Sequence, residues 1–356
     1  MITLSEADKN EIRQVFNFYE IKEQENATEL YGDPLVDVNV LYGRLYDHFS
    51  KQNESVSLMR NMGESVLVIG KAKPENIWIN VGLAVATLFT TMAVGSLLYG
   101  VNIFEQPLEI YKGLPFAIAI MIVLGSHELA HYIVSKKHGI DATLPYFIPF
   151  PIPPIGTMGA VIRQKGPVPN RKALFDVGIS GPMVGLAVAV IVTAIGLMLP
   201  PVVVTAPLSD LTYMKIQAPL LFDVIAAIVH PGVNLDTINP IAFAGWVGML
   251  VTMLNMIPVG QLDGGHVSRA LLGEKADKLS RILPMLIMAF GLFTTFALNK
   301  SGDLWIFWGL LTALMSSSAH PKPVDDSAGI GLPRLIFAAI AIVLTILCFM
   351  PFPLGS

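Results

Sequence analysis

The chain has 356 residues, 53% of them hydrophobic and 14% charged, with a net charge of −4. A soluble globular domain carries about 25% charged residues, so this composition excludes an ordinary soluble protein, and the negative balance gives no footing for nucleic acid. One cysteine, Cys348, excludes an intramolecular disulfide framework and a multi-cysteine zinc site.

Residues 1–75 differ from the rest, holding 13 of the 27 acidic and 8 of the 23 basic residues. Met1 to Phe16 is polar and lacks the apolar core of a cleaved signal or the arginines of a transit peptide. Ser5 followed by Asp8 reads as a capping box, with Ile12, Val15, Phe16 and Tyr19 on a helical stripe behind it. Leu35–Leu41 and Ser65–Ile69 read as short strands. A small soluble α+β domain is expected, with no function legible in it.

Apolar segments follow at about 77–99, 114–135, 174–199, 240–257, 280–298, 303–317 and 333–350. Several approach the roughly 20 residues that cross about 30 Å of hydrocarbon; the sixth is short. Residues 218–230 are apolar but fit an interfacial or protein-packed helix. The fold class expected is mainly α: a polytopic membrane helical bundle of about 6–7 spans with a re-entrant extended loop. That loop is 144–165, where Pro145, Pro149, Pro151, Pro153 and Pro154 forbid a continuous helix. Its apolar backbone needs protein or a water-filled cavity around it, and Thr157–Gln164 reads as extended.

Lys136, Lys137, Arg163, Lys165, Arg171 and Lys172 lie between spans two and three, and Arg269, Lys275, Lys278 and Arg281 follow span four. The opposite loops carry Lys112, Lys215 and Lys300. By the positive-inside tendency, residues 1–75 and the ends of spans two and four face the cytoplasm.

Span two contains His127-Glu128-Leu129-Ala130-His131. Residues four apart share a helix face, so both imidazoles can hold one zinc, with Glu128 beside a water as general base. Two histidines and a glutamate are costly in an apolar span without a job. Such a site needs a third protein ligand and one open position. Asp263, near the cytoplasmic end of span four, ranks first because its charge offsets a dication; His266, three residues on, is the rival. The bland alternative, a polar patch tying helices together, accounts poorly for this spacing.

With these residues in place, the sequence resembles the site-2 protease family of intramembrane metalloproteases, peptidase M50-like. The carriers are His127, Glu128 and His131, the N-x-x-P-x-x-x-L-D-G pattern from Asn255 to Gly264, and Ser180-Gly181-Pro182. The resemblance covers about residues 114–270. The front domain, Pro145–Pro149 and Asn170–Ala173 look most like a branch of archaeal members and plant chloroplast relatives. It implies one Zn2+ per chain held by His127, His131 and Asp263, Glu128 as catalytic base, and Asn255 contacting substrate. It also implies an archaeal cell membrane with the active site towards the cytoplasm. Lys165–Asn170 is too short for an inserted PDZ domain, and no regulatory domain is expected after the last span.

The expected organisation is a cytoplasmic α+β domain over 1–75, a first transmembrane helix and loop over 76–113, a catalytic core over 114–273, and C-terminal transmembrane helices over 274–356. The expected activity is hydrolysis of peptide bonds in or near transmembrane helices. A helix hides its carbonyls in hydrogen bonds, so the substrate must unwind. The stretch with Gly156, Thr157, Met158 and Gly159 would then take it as an added strand, the glycines permitting close backbone approach. Gly178, Gly181 and Gly185 read as helix-packing residues, Pro182 as a kink site, and Asp176 as a helix-start charge with no evident partner. Expected partners are a transmembrane protein substrate and the lipid bilayer, with no nucleic acid and a homo-oligomer left open. The competing readings are a membrane metal-ion transporter, an inactive scaffold, and a protease of soluble proteins with an incidental anchor.

Overall fold

The computed structural model describes residues 3–61, 64–71, 76–165, 168–202, 217–233, 237–316, 323, 325–327 and 329–353. Lys215 and residues 166–167 of the Lys165–Asn170 connection lie outside the described residues.

The chain begins with α1 (Glu6–Arg13), β1 (Phe16–Glu23), β2 (Ala27–Pro34), α2 (Val38–Ser50), β3 (Glu54–Asn61) and β4 (Glu64–Lys71). The strands form an antiparallel sheet in the order β1-β2-β4-β3. Ser5 and Asp8 make the expected capping box, a device worth about 1 kcal/mol at an N-cap. Two expectations fail here. The stripe from Ile12 to Tyr19 is not one helix, because α1 ends at Arg13 and Phe16 opens β1. Leu35–Leu41 is not a strand, because α2 starts at Val38. Leu41, Leu45 and Phe49, four apart, form one fully buried helix face packed with Leu30, Leu67 and Ile69. Tyr46 of α2 is half-buried; burial and the Asp141 charge beyond span two push its phenol up to about 12.

The rest is mainly helical: α3 (Ile77–Leu98), a short 3-10 turn over Pro107–Gly113, α4 (Leu114–Lys137), α5 (Arg171–Met198), α6 (Leu220–Val229), α7 (Pro240–Asn255), α8 (Asp263–Leu272), α9 (Lys275–Phe296), α10 (Asp303–Ser316) and α11 (Leu332–Leu347). Among the described residues, α3, the turn with α4, α5 and α9 form four segments long and apolar enough to cross a membrane. The 14–16 residues of α7, α10 and α11 reach only about 21–24 Å at 1.5 Å per residue. The expected count of 6–7 spans is therefore met at full length by four.

Helix α7 lies at the centre of the bundle, with 13 of its 16 residues buried. Small residues bring its backbone against α5. A Cβ on Gly196 would sit 2.1 Å from Ala242 N, and one on Gly245 2.1 Å from Thr193 Oγ1. The α4 helix joins the same core through Phe116, Ile120, Val123 and Leu124. This close packing fixes α4, α5 and α7 as a rigid frame.

Between α4 and α5 the proline-rich segment is a hairpin, not the single extended stretch expected. β5 (Tyr146–Pro149) pairs antiparallel with β6 (Thr157–Val161), and an isolated bridge, Ala142 to Gln164, prolongs it. It rests on α3: Asn80 Nδ2 donates to the Leu144 and Pro145 carbonyls, both at 3.0 Å.

Candidate metal centre

His127 and His131 face α5 and α8 from one side of α4, both buried. Their Nε2 atoms are 3.1 Å apart. Asp263 reaches both, with Oδ2 3.1 Å from His127 Nε2 and Oδ1 3.2 Å from His131 Nε2. Zinc–nitrogen bonds of 2.0–2.1 Å in tetrahedral geometry put neighbouring donors about 3.3 Å apart. The three donors therefore fit one face of a zinc tetrahedron, and the two-nitrogen, one-carboxylate set suits that ion. Glu128 also falls within 4.8 Å of the rings. Its nearer oxygen, Oε1, is 4.0 Å from His127 Nε2, outside the distance Asp263 keeps, so by geometry Asp263 fits the third donor position and Glu128 stands beside it.

Local sequence explains how distant segments meet. Pro258 lies just beyond the end of α7 at Asn255, and the following turn is anchored by Gly260 N–H donating to Ser280 Oγ at 2.8 Å. Gly264 and Gly265 let α8 fold back tightly over it. A Cβ on Gly264 would lie 2.2 Å from Met256 O, and one on Gly265 2.3 Å from Gly260 O. Asp263 is the first residue of α8 and is delivered to α4 by that reversal.

Supporting contacts set the rings. His131 Nδ1 lies 2.8 Å from the Val177 carbonyl. A carbonyl only accepts, so Nδ1 carries the proton and Nε2 is left bare as a ligand. The glycines of α5 make room for this. A Cβ on Gly181 would sit 2.1 Å from His131 Nε2, and one on Gly185 3.0 Å from His127 Nδ1. The stripe from Gly178 to Gly185 thus packs against the ligand rings and His266, which spacing alone read as ordinary helix contact. His266 turns away: its Nδ1 is 2.9 Å from the Leu262 carbonyl one helical turn back.

Asp176, expected without a partner, has two. Arg334 of α11 donates to it through Nε at 2.7 Å and Nη2 at 2.6 Å, and His138, capping α4, lies 3.0 Å away. The partner sits 158 residues on, so no local pattern signals it. Arg334→Gln is expected to cost about 1–3 kcal/mol, between exposed and buried ion pairs, measured by thermal unfolding; an unchanged Tm would show that the pair does not brace α11.

The proposed substrate residues divide. Met158 is 63% exposed, and Gly159, at φ +101, has open space where a side chain would point. Thr157 faces inward: its Oγ1 donates to Ile148 O at 2.8 Å and accepts from Gly159 N–H at 3.0 Å. Gly156 does permit a close approach, but to α3, since a Cβ there would lie 2.8 Å from Thr90 O. Asn255 ends α7 half-buried, and its amide has no hydrogen-bond partner among the described residues.

The sequence profile of Peptidase family M50 matches residues 115–298, more than half of the chain and all four of His127, Glu128, His131 and Asp263. The chain belongs to peptidase family M50. This M50 member is 30% identical over 250 residues to the probable zinc metalloprotease EGY1, chloroplastic, of Arabidopsis thaliana, covering 67% of this chain and 43% of the relative. It is 31% identical over 259 residues to the probable zinc metalloprotease EGY2, chloroplastic, of the same plant, covering 69% and 43%. The EGY2 protein of Oryza sativa subsp. indica is 26% identical over 340 residues, covering 87% and 59%. The chain therefore spans less than two thirds of the length of these relatives. No solved structure matches it.

Proposed function

We propose that this M50 member is an intramembrane zinc metalloprotease of the site-2 protease type, hydrolysing peptide bonds in or near transmembrane helices of other membrane proteins. The reading is carried by one observation: His127, His131 and Asp263 converge at 3.1–3.2 Å with Glu128 alongside. These three residues would hold one Zn2+. When bound, zinc acidifies water and polarises a peptide carbonyl.

The chain's own groups do the rest. Glu128 Oε1, on the donor side of its carboxylate, takes the proton of the attacking water and passes it to the departing amine. Water enters beside the carboxylates, where Glu128 and Asp263 side chains keep 12% and 16% exposure against 5% and 7% for His127 and His131. Asn255, its amide uncommitted, polarises or positions the substrate carbonyl. Gly159 and Met158 present the free side of β6, on which an unwound substrate segment adds as a strand, with Gly156 and Thr157 fixing that strand's shape.

The fuller layout belongs to the same reading: a soluble domain over 1–75, a first membrane helix and loop over 76–113, a catalytic core over 114–273 and C-terminal spans over 274–356. α10 and α11 complete the passes. α10 begins where α11 ends, with Trp305 Nε1 donating to Pro351 O at 2.7 Å. α11 begins beside the start of α5, through Arg334 and Asp176. Basic residues gather on the side where α4 ends and α5 begins, and the positive-inside tendency supports a site facing the cytoplasm.

The test is metal analysis with cleavage of a panel of single-span substrates in proteoliposomes. Glu128→Gln is expected to keep its zinc and lose about 10²–10⁴-fold in kcat, the usual worth of a general base. A metal-replete variant with full activity removes Glu128 from the mechanism, and zinc uptake without cleavage by the wild type favours a transporter. Ala160→Pro, which disturbs the β6 edge, is expected to raise KM for cleavage while zinc content holds; unchanged kinetics count against strand addition.

A further inference from the structure

Among the described residues, Glu128 is tethered at one oxygen only. Its Oε2 accepts a hydrogen bond from the main-chain N–H of Ile162 at 3.1 Å, while Oε1 points to the donor cluster, 4.0 Å from His127 Nε2. Ile162 directly follows β6. The next residue faces the other way: Arg163 N–H donates to Thr143 Oγ1, and the Arg163 carbonyl accepts from Thr143 N–H, each at 3.0 Å. Arg163 is thus paired to the arm that leads into β5. Main-chain groups alternate in direction along an extended strand, so Ile162 faces the opposite, unpaired edge, and Ala160 two residues earlier faces it too.

We propose that the Ile162 main-chain N–H is a positioning group for Glu128, clamping Oε2 so that Oε1 is held for proton transfer. The inference rests on the protease reading and deepens it. A glutamate side chain has three rotatable bonds, and on the helix alone its carboxylate would sample several orientations. The clamp removes that freedom at the far oxygen and leaves the working one open. Because the same edge of β6 supplies the clamp and the substrate-pairing groups, a strand paired at Ala160 arrives with its next peptide directed at Glu128. The register of the edge therefore sets which bond meets the base.

The experiment uses the full-length, zinc-loaded protein. Proline is tolerated on a strand edge whose N–H faces away from the paired neighbour, so Ile162→Pro deletes the donor and Ile162→Ala keeps it. Ile162→Pro is expected to lower kcat about 10²-fold, the cost of a misplaced reacting group, with KM and zinc content unchanged. Ile162→Ala should stay close to wild type. In the Glu128→Gln background the proline should add nothing further; an equal fall there, or wild-type kcat for Ile162→Pro, overturns the assignment. A second measurement needs no proline. Amide hydrogen exchange at Ile162 is expected to be slow in the wild type and to quicken in Glu128→Ala, and unchanged exchange overturns the clamp. Absence of cleavage by the zinc-loaded wild type would sink the protease reading instead, while the exchange result would still decide whether the clamp exists.

Discussion

Asp263→Ala is expected to strip the protein of zinc and with it all cleavage. The carboxylate touches both imidazoles, at 3.1 and 3.2 Å, and supplies the negative charge that makes a dication tolerable in a low-dielectric setting. Apparent zinc binding in tetrahedral protein sites is worth about 10–16 kcal/mol, so one ligand's share of about 4 kcal/mol is roughly 10³-fold in affinity. Chelator competition on the purified protein reads this directly. His266→Ala is the matched control. It should bind zinc normally, because the His266 ring is turned to its own helix through Leu262 O. If the control lost the metal and Asp263→Ala kept it, the third ligand would have been misassigned.

Gly181→Ala should have an effect nearly as large, from a single methyl group. The added carbon would fall 2.1 Å from His131 Nε2, 2.5 Å from Cδ2 and 2.6 Å from Cε1. The ring cannot simply retreat, because its Nδ1 is tied to Val177 O on the same helix as Gly181. Either the ring leaves the metal or α5 moves, and overpacking of that kind costs about 1–3 kcal/mol. Zinc affinity should therefore fall, by about 5- to 150-fold if the whole cost lands on the site. Gly185→Ala, with 3.0 Å of clearance at its nearest atom, should lose much less. If both variants lowered Tm equally with zinc affinity intact, these glycines would serve helix packing alone.

The candidate donor cluster was legible because it is written in polar residues that are costly in an apolar chain. His127, Glu128 and His131 share a helix spacing, and Asp263 stood out as an ionisable residue at matching depth. The hairpin and the supporting contacts were harder. Proline density in 144–165 ruled out a helix but did not say that both arms, β5 and β6, are extended. Val177 and Ile162 act through main-chain atoms, which leave no mark in side-chain identity. Asp176 and Arg334 are joined only by tertiary packing across 158 positions. In the front domain, the run from Leu35 to Leu41 is rich in β-formers, yet the buried face of Leu41, Leu45 and Phe49 wins, because tertiary packing overrides local propensity.

The unequal exposure around the donors has a further consequence for exchange of the ion with solvent. Among the described residues the imidazoles lie against the glycines of α5 and keep 5% and 7% exposure, while the two acids keep 12% and 16%. A competing ligand would then come in on the side of the acids. Slim, flat chelators should then extract the ion quickly and bulky multidentate ones slowly, whatever their relative affinities in free solution. The ion would be retained through a kinetic barrier as well as by the strength of its bonds.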